Sequence, residues 1–426
     1  MRHPRASGRV LRLSSSMTAR ILSIGTAVPP AVIHQNSVRD LFAAQPGIGR
    51  LSQRLVGAAF DASAIETRHT VLTDLADALA SRAAGGNAAR ADAAEADAAD
   101  PASLPVISGD GALLSPSTRT RNDAYIALAP ELSARAAREA LSAASVDPAD
   151  VTHVVTVSCT GMYAPGPDYR LVRDLGLPTS VERYHLGFIG CAAAVPALRA
   201  AARMCAAQPD AVVLVVCAEL CTLHFRVADD PDQILAASLF ADGAAAAVIS
   251  ADPSRRADRW LDLDRFATAV TDDGERDMTW TIGDAGFEMV LTAEVPRIIG
   301  REIRAAVADV VGDAHVDVWA VHPGGRAVLD RVESGLDLAP DALAQSRAVL
   351  RDYGNMSSAT ILFILRSLLA GDALRDGQTI ATLAFGPGLT MEAALLTAGV
   401  AAAPDAAAGE TVARDAARPE PVASWT

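Results

Sequence analysis

The stretch Gly187-Phe188-Ile189-Gly190-Cys191-Ala192-Ala193-Ala194 decides how the chain is read. Gly190 permits a tight turn, and the small residues after it let a helix begin close against its neighbours. A cysteine at that point faces unpaired backbone N–H groups and the positive end of a helix dipole, and both favour the thiolate. Two readings stay open on these residues alone: a nucleophile, or a small buried hydrophobe, which is the usual condition of cysteine.

Outward from this turn the chain alternates short apolar runs with helical stretches. Residues 154–158 (VVTVS), 212–217 (VVLVVC), 245–249, 316–321 and 379–384 read as strands covered on both faces. Helices are expected over 124–144 and 192–207, with Pro196 tolerated near the start of the second. Strands alternating with helices imply an α/β architecture with largely parallel sheets. Ordered sequence is expected to begin at Arg20, after an N-terminal extension over 1–19 in which Met17 is an alternative start. An Ala/Asp-rich surface insertion is expected over about 74–120, and an Ala/Pro/Glu-rich disordered tail over 401–426. The body divides into 20–250, which carries Cys191, and 251–400.

Composition excludes several classes of function. The formal net charge is −14, lysine is absent and no basic block interrupts the body, which argues against nucleic acid or an anionic membrane surface as partner. Five cysteines, without a Cys-x-x-Cys pair, make neither a disulfide framework nor a zinc site, so no metal is expected. No apolar run reaches the roughly 18 residues of a membrane span, and the first twenty residues lack the apolar centre of a secretory signal. The expectation is a cytoplasmic protein without stable membrane insertion.

Three more segments carry chemistry. In Trp319-Ala320-Val321-His322-Pro323-Gly324-Gly325 a titratable ring ends a buried strand, at the edge where α/β active sites open; the plainer reading is a histidine capping a turn. Tyr353-Gly354-Asn355-Met356-Ser357-Ser358-Ala359-Thr360 precedes an apolar helix, so Asn355 could serve as its N-cap. Ala384-Phe385-Gly386-Pro387-Gly388-Leu389-Thr390 reads as a rigid loop between the last two strands. Each half thus presents a reactive side chain at a strand-to-helix junction, Cys191 in one and Asn355 in the other, a weak sign of duplication.

The ordered series GCAAA, LFADGAA, WAVHPGG, YGNMSSAT and FGPGLT resembles the plant chalcone synthases and their bacterial type III polyketide synthase relatives, from about Ile21 to Val400. The resemblance implies a thiolase fold: two duplicated βαβαβαββ halves with mixed sheets in a five-layered α-β-α-β-α arrangement. It implies an acyltransferase in which Cys191 holds the growing chain, His322 pairs with it, and His322 with Asn355 stabilises the enolate of malonyl-CoA. Acyl-CoA and malonyl-CoA would be substrates, no separate cofactor would be needed, and the enzyme would be a homodimer.

Around that trio the resemblance places a substrate pocket of Phe240, Met289, Cys159, Cys221, His224, Ser357, Phe385 and Pro387. Phe240 matches a gatekeeper ring, and Met289 falls where plant members have a second gatekeeper phenylalanine. Cys159, Cys221 and His224 stand in place of threonines, and Trp280 falls near a glycine that bounds the plant cavity. These departures, with the bacterial wording Ser158-Cys159-Thr160-Gly161, point to a fatty acyl starter and alkylpyrone or alkylresorcinol products. The basic positions that grip coenzyme A match Leu55, Ala58 and Ala62; Arg50, Arg54, Arg68 and Arg326 lie nearby and are the candidate substitutes, with an acyl carrier protein as an alternative source of the starter. The competing family is the 3-oxoacyl-[acyl-carrier-protein] synthase III-like condensing enzymes, which share the trio but not the loop series. A hydroxymethylglutaryl-CoA synthase would need a catalytic glutamate, for which Glu219 and Glu288 qualify only by residue type.

Overall fold

A computed structural model describes residues 11–12, 18–84, 104–226, 230–255 and 257–401. One sheet path runs, in spatial order, through Val318–Val321, Thr379–Gly386, Thr390–Val400, Arg259–Val270, Arg20–Ala27, Asp242–Ser250, Val212–Leu220, His153–Ser158 and Glu182–Gly187. The path has two halves, joined where Arg20 and Ile21 pair with Asp262 and Leu261. Read from His153–Ser158 inward, the first half goes parallel, antiparallel, antiparallel. From Val318–Val321 inward, the second half repeats that series.

The largely parallel sheet expected from the alternation is corrected to the mixed sheet that the resemblance implies, parallel at its two ends and antiparallel in its middle. Connection length explains this. Only Pro387, Gly388 and Leu389 separate Thr379–Gly386 from Thr390–Val400, too few residues to return a strand in parallel.

Side-chain alternation then stacks five layers. Val212, Leu214 and Val216 face one way, onto the helix Thr118–Ala143 through Ala129, Ala136 and Ala140. Val213, Val215 and Cys217 face the other, into a core shared with the helices Ala194–Ala207 and Thr360–Ala370. In the second half Ile380 and Ala384 join that same central core, while Ala381 and Leu383 face the outer helix Glu294–Val311. The two central helices are counterparts: each follows a short 3-10 turn, Gly190–Ala192 in one case and Ser357–Ala359 in the other. The duplication inferred from the sequence is visible in this correspondence.

Two boundary expectations change. Within 74–120 the helix Thr73–Ala83 buries Leu75 and Leu79, and Leu104 and Val106 join the same core. Those flanks are framework, because they carry leucine and valine where the Ala/Asp tract has nothing to bury; 85–103, the heart of the expected insertion, lie outside the described residues. At the N-terminus, Leu11–Arg12 pairs with Phe266 and Arg265, and Ala19 is buried in the central core, so 1–19 is not wholly an extension. The expected tail, 402–426, lies outside the described residues. Among the described residues no helix is long and apolar enough to cross a membrane.

Candidate active site

Cys191 is presented by a turn that only glycine allows. Gly190 has φ +78°, and a Cβ there would sit 2.3 Å from Pro387 Cδ, so the Cys191 turn and the FGPGLT loop interlock. From the second half, Asn355 enters the site at the same level. Its backbone N–H donates to Leu239 O and its carbonyl accepts from Ala241 N, both at 2.9 Å. Its Oδ1 accepts from Ser357 N at 2.9 Å, which fixes the orientation of the amide. The amide and the Cys191 sulfur then stand 3.9 Å apart. Asn355 is not a helix N-cap, since the helix after it starts five residues on, at Thr360.

His322 follows the strand Val318–Val321 and is fully buried. Its backbone N–H donates to Leu383 O at 2.8 Å, yet neither ring nitrogen has a hydrogen-bond partner. A turn-capping histidine would use one of them. Burial drives its pKa down to about 3, so the imidazole is neutral.

For Cys191 the dipole, which favours the thiolate, is opposed by desolvation. Burial pushes its pKa up to about 11, and the nearby Glu219 adds to this, while hydrogen bonds from Ser357 and Asn355 pull it only partly back. The dipole argument overestimates the turn: Cys191 lies in a 3-10 turn ahead of the helix, not in its first turn.

Glu219 is the penultimate residue of the strand Val212–Leu220 and has no exposed surface. Its carboxylate accepts from Cys159 N and Thr160 Oγ1, both at 2.9 Å, and from Ser358 Oγ at 2.6 Å. It thus ties the pocket segment of the first half to the GNMSSA loop of the second. The sequence signal was present: a lone acid near the end of a nine-residue run that otherwise holds only apolar residues.

Next to Cys191 opens a cavity of about 390 Å³, walled by Cys159, Cys221, Phe240, Met289, Trp280 and Pro387, with Thr160 and Ser357 as its polar members. Phe240, Cys221, Trp280 and Met289 also wall a second space of about 330 Å³, which reaches His224 and Phe287. Trp280 is locked by its indole N–H, which donates to Cys159 O at 2.7 Å. His224 stacks on Phe287 at 4.2 Å, donates through Nε2 to Thr160 O and accepts through Nδ1 from Phe287 N.

Of the residues expected in a substrate pocket, all but one line these two spaces. Phe385 packs into the core of the second half and does not line either space. Of the four arginines proposed for coenzyme A, Arg50, Arg54 and Arg326 are exposed. Arg68 is fully buried and donates to the carbonyls of Ala237 and Phe240, so it cannot meet a phosphate arriving from solvent. Among the described residues no group of three or more His, Cys, Asp or Glu is placed to hold a metal ion.

This fold, with Cys191 and Asn355 meeting where its two halves join, is of the thiolase-like class. The family models for the chalcone and stilbene synthases match over residues 107–253 for the N-terminal domain and 265–400 for the C-terminal domain. The chain belongs to the chalcone and stilbene synthase family of type III polyketide synthases. It is 30% identical over 400 residues to "Probable polyketide synthase 1" of Dictyostelium discoideum, covering 91% of this chain but 12% of that much longer protein. Among solved structures it resembles the C-terminal type III polyketide synthase domain of Steely1, a type I/III hybrid from Dictyostelium, with TM-score 0.77, 28% identity, and 90% of this chain against 100% of that one. PKS-I from the brown alga Ectocarpus siliculosus matches equally, with TM-score 0.77 and 28% identity over 90% of this chain and 99% of that one.

Proposed function

We propose that the chain takes an acyl group from a CoA thioester onto Cys191, extends it with malonyl-CoA by decarboxylative Claisen condensation, and releases a cyclised product. The observation that carries this reading is the Cys191 sulfur 3.9 Å from the Asn355 amide, with an apolar cavity opening beside Cys191; the buried His322 ring, whose nitrogens have no partner, is free to serve the same site.

With burial raising the Cys191 pKa, loading calls for a proton acceptor. His322 takes the Sγ proton as sulfur attacks the thioester and returns it to the departing CoA thiolate. In extension, the bond from malonyl C2 to its carboxylate breaks, CO₂ leaves and the electron pair becomes an enolate. The Asn355 N–H₂ and the His322 N–H donate to that enolate oxygen. The enolate carbon then attacks the acyl carbonyl and Cys191 leaves as thiolate.

The nearly all-apolar cavity wall supports a fatty acyl starter, closing to an alkylpyrone or alkylresorcinol, and the SCTG wording supports the bacterial branch. Homodimeric assembly and a cytoplasmic setting are part of the same proposal; exposed Arg50, Arg54 and Arg326 are its candidate CoA contacts. An acyl-CoA panel with labelled malonyl-CoA, followed by product masses, tests it. Decarboxylated, chain-extended products are expected, and their absence with every acyl-CoA and with acyl carrier protein thioesters would overturn the reading.

A further inference from the structure

Arg68 is a buried charge that the chemistry above does not use. It lies on the short strand Thr67–Thr70 with no exposed surface. Nη1 donates to Ala237 O at 2.7 Å and to Phe240 O at 2.8 Å, while Nε and Nη2 have no partner. Ala237 belongs to the last turn of the helix Pro231–Leu239, where free carbonyls favour a cation. The guanidinium also lies over the Phe225 ring, 5.3 Å from its centroid.

The same side chain touches the second half of the site. Gly354, with φ +71°, precedes Asn355, and a Cβ there would come within 2.9 Å of Arg68 Cγ. One arginine therefore holds the backbone of Phe240 and packs on the residue that leads into Asn355. Between them run the Asn355 N–H to Leu239 O and Ala241 N–H to Asn355 O bonds, which lock the two segments together. Phe240 is also one of the few side chains that wall both spaces of the pocket, so its placement sets the passage between them.

We infer that Arg68 is a positioning residue for chain-length selection: by clamping the Phe240 carbonyl it holds the Phe240 ring across the pocket. A purely structural arginine would alter stability without altering selectivity. An arginine acting through the Phe240 ring must alter selectivity, and must stop doing so once that ring is gone. The inference rests on the polyketide synthase reading.

The test measures kcat/KM for hexanoyl-CoA and dodecanoyl-CoA, with malonyl-CoA, in wild type, Arg68→Met, Arg68→Lys, and both changes combined with Phe240→Ala. Circular dichroism and mass-detected hexanoylation of Cys191 identify the variants that fold. Arg68→Met is expected to shift the ratio toward dodecanoyl-CoA by about tenfold, the scale of losing charge-assisted hydrogen bonds. Arg68→Lys, which keeps a cation and a donor, should shift it less and supplies the result if the Met variant does not fold. In the Phe240→Ala background both shifts should vanish. An unchanged ratio in a folded variant, or an equal shift without the Phe240 ring, overturns the inference. A wild-type protein inert toward both starters would instead strike at the proposed function.

Discussion

The Asn355 side-chain amide stands 3.9 Å from the Cys191 sulfur, across 164 residues of chain and from opposite halves of a duplicated fold. Cys191 lies within, and Asn355 two residues before, a 3-10 turn leading into one of the two central helices. The site thus forms where the two halves converge, and the tie from Glu219 to Ser358 holds them there.

This geometry separates loading from decarboxylation. Cys191→Ala should abolish covalent acyl loading and all product. Asn355→Ala should still load but lose on the order of a hundredfold in malonyl-CoA decarboxylation, as for removal of one oxyanion donor. Loading is read by intact-protein mass and decarboxylation by release of labelled CO₂. Equal loss of both activities in Asn355→Ala would show that the amide serves the thiol rather than the enolate.

The raised thiol pKa has a kinetic signature. With Cys191 at about 11, the thiolate fraction should climb roughly tenfold per pH unit below that value. Iodoacetamide alkylation of Cys191, followed by peptide mass from pH 7 to 10, should therefore rise without levelling. A plateau by pH 8 would mean that a resident ion pair with His322 forms after all.

The order of the loop motifs was legible in the sequence because Cys191, His322 and Asn355 sit in segments whose residue types are locally constrained. Gly190 is there for its positive φ and Gly354 for its close approach to Arg68. The outcome for Cys191 was not legible, since dipole and desolvation oppose each other and only the packing decides between them. Arg68 misled for the same reason: neighbouring arginines on a chain look alike, and tertiary contacts alone bury one and expose another. Phe385 read as pocket because its loop flanks the site, but strand alternation turns its ring into the core. Strand alternation alone could not give the mixed sheet, because antiparallel and parallel buried strands have the same apolar runs; the resemblance carried it.

Acid stability should report the buried histidines. Burial lowers the His224 pKa to about 3, so between that value and the ordinary 6.5 the unfolded chain binds a proton that the folded chain does not. His224 thus contributes stability above 6.5 that is lost as pH falls toward 3. His322 acts in the same direction, whereas Asp242, raised to about 6, opposes both. The clean comparison is His224→Phe against wild type, by urea unfolding at pH 6.0 and 4.5. The variant's slope of unfolding free energy with pH should be smaller by up to about 1.4 kcal/mol per pH unit. Parallel slopes would place a charged imidazole in the folded protein.

Starter selection is the most exposed claim and has a direct test. Cys159, Cys221 and Met289 give the cavity beside Cys191 an adaptable, apolar wall, and Trp280 is pinned across it by Cys159 O. Each buried methylene is worth at most about 0.8 kcal/mol, so kcat/KM should rise with acyl length until the space is filled and then fall. Met289→Phe narrows the wall shared by both spaces, and Cys159→Phe fills the one beside the nucleophile. Both should move the optimum to shorter chains. Trp280→Gly should move it the other way, because the ring and its hydrogen bond leave together. A series of acyl-CoAs from acetyl to palmitoyl, with coumaroyl-CoA as the aromatic comparison, reads all three variants. Preference for the aromatic starter, or an optimum that ignores Met289 and Trp280, would reject the alkyl reading while leaving the family membership and the role of Cys191 untouched.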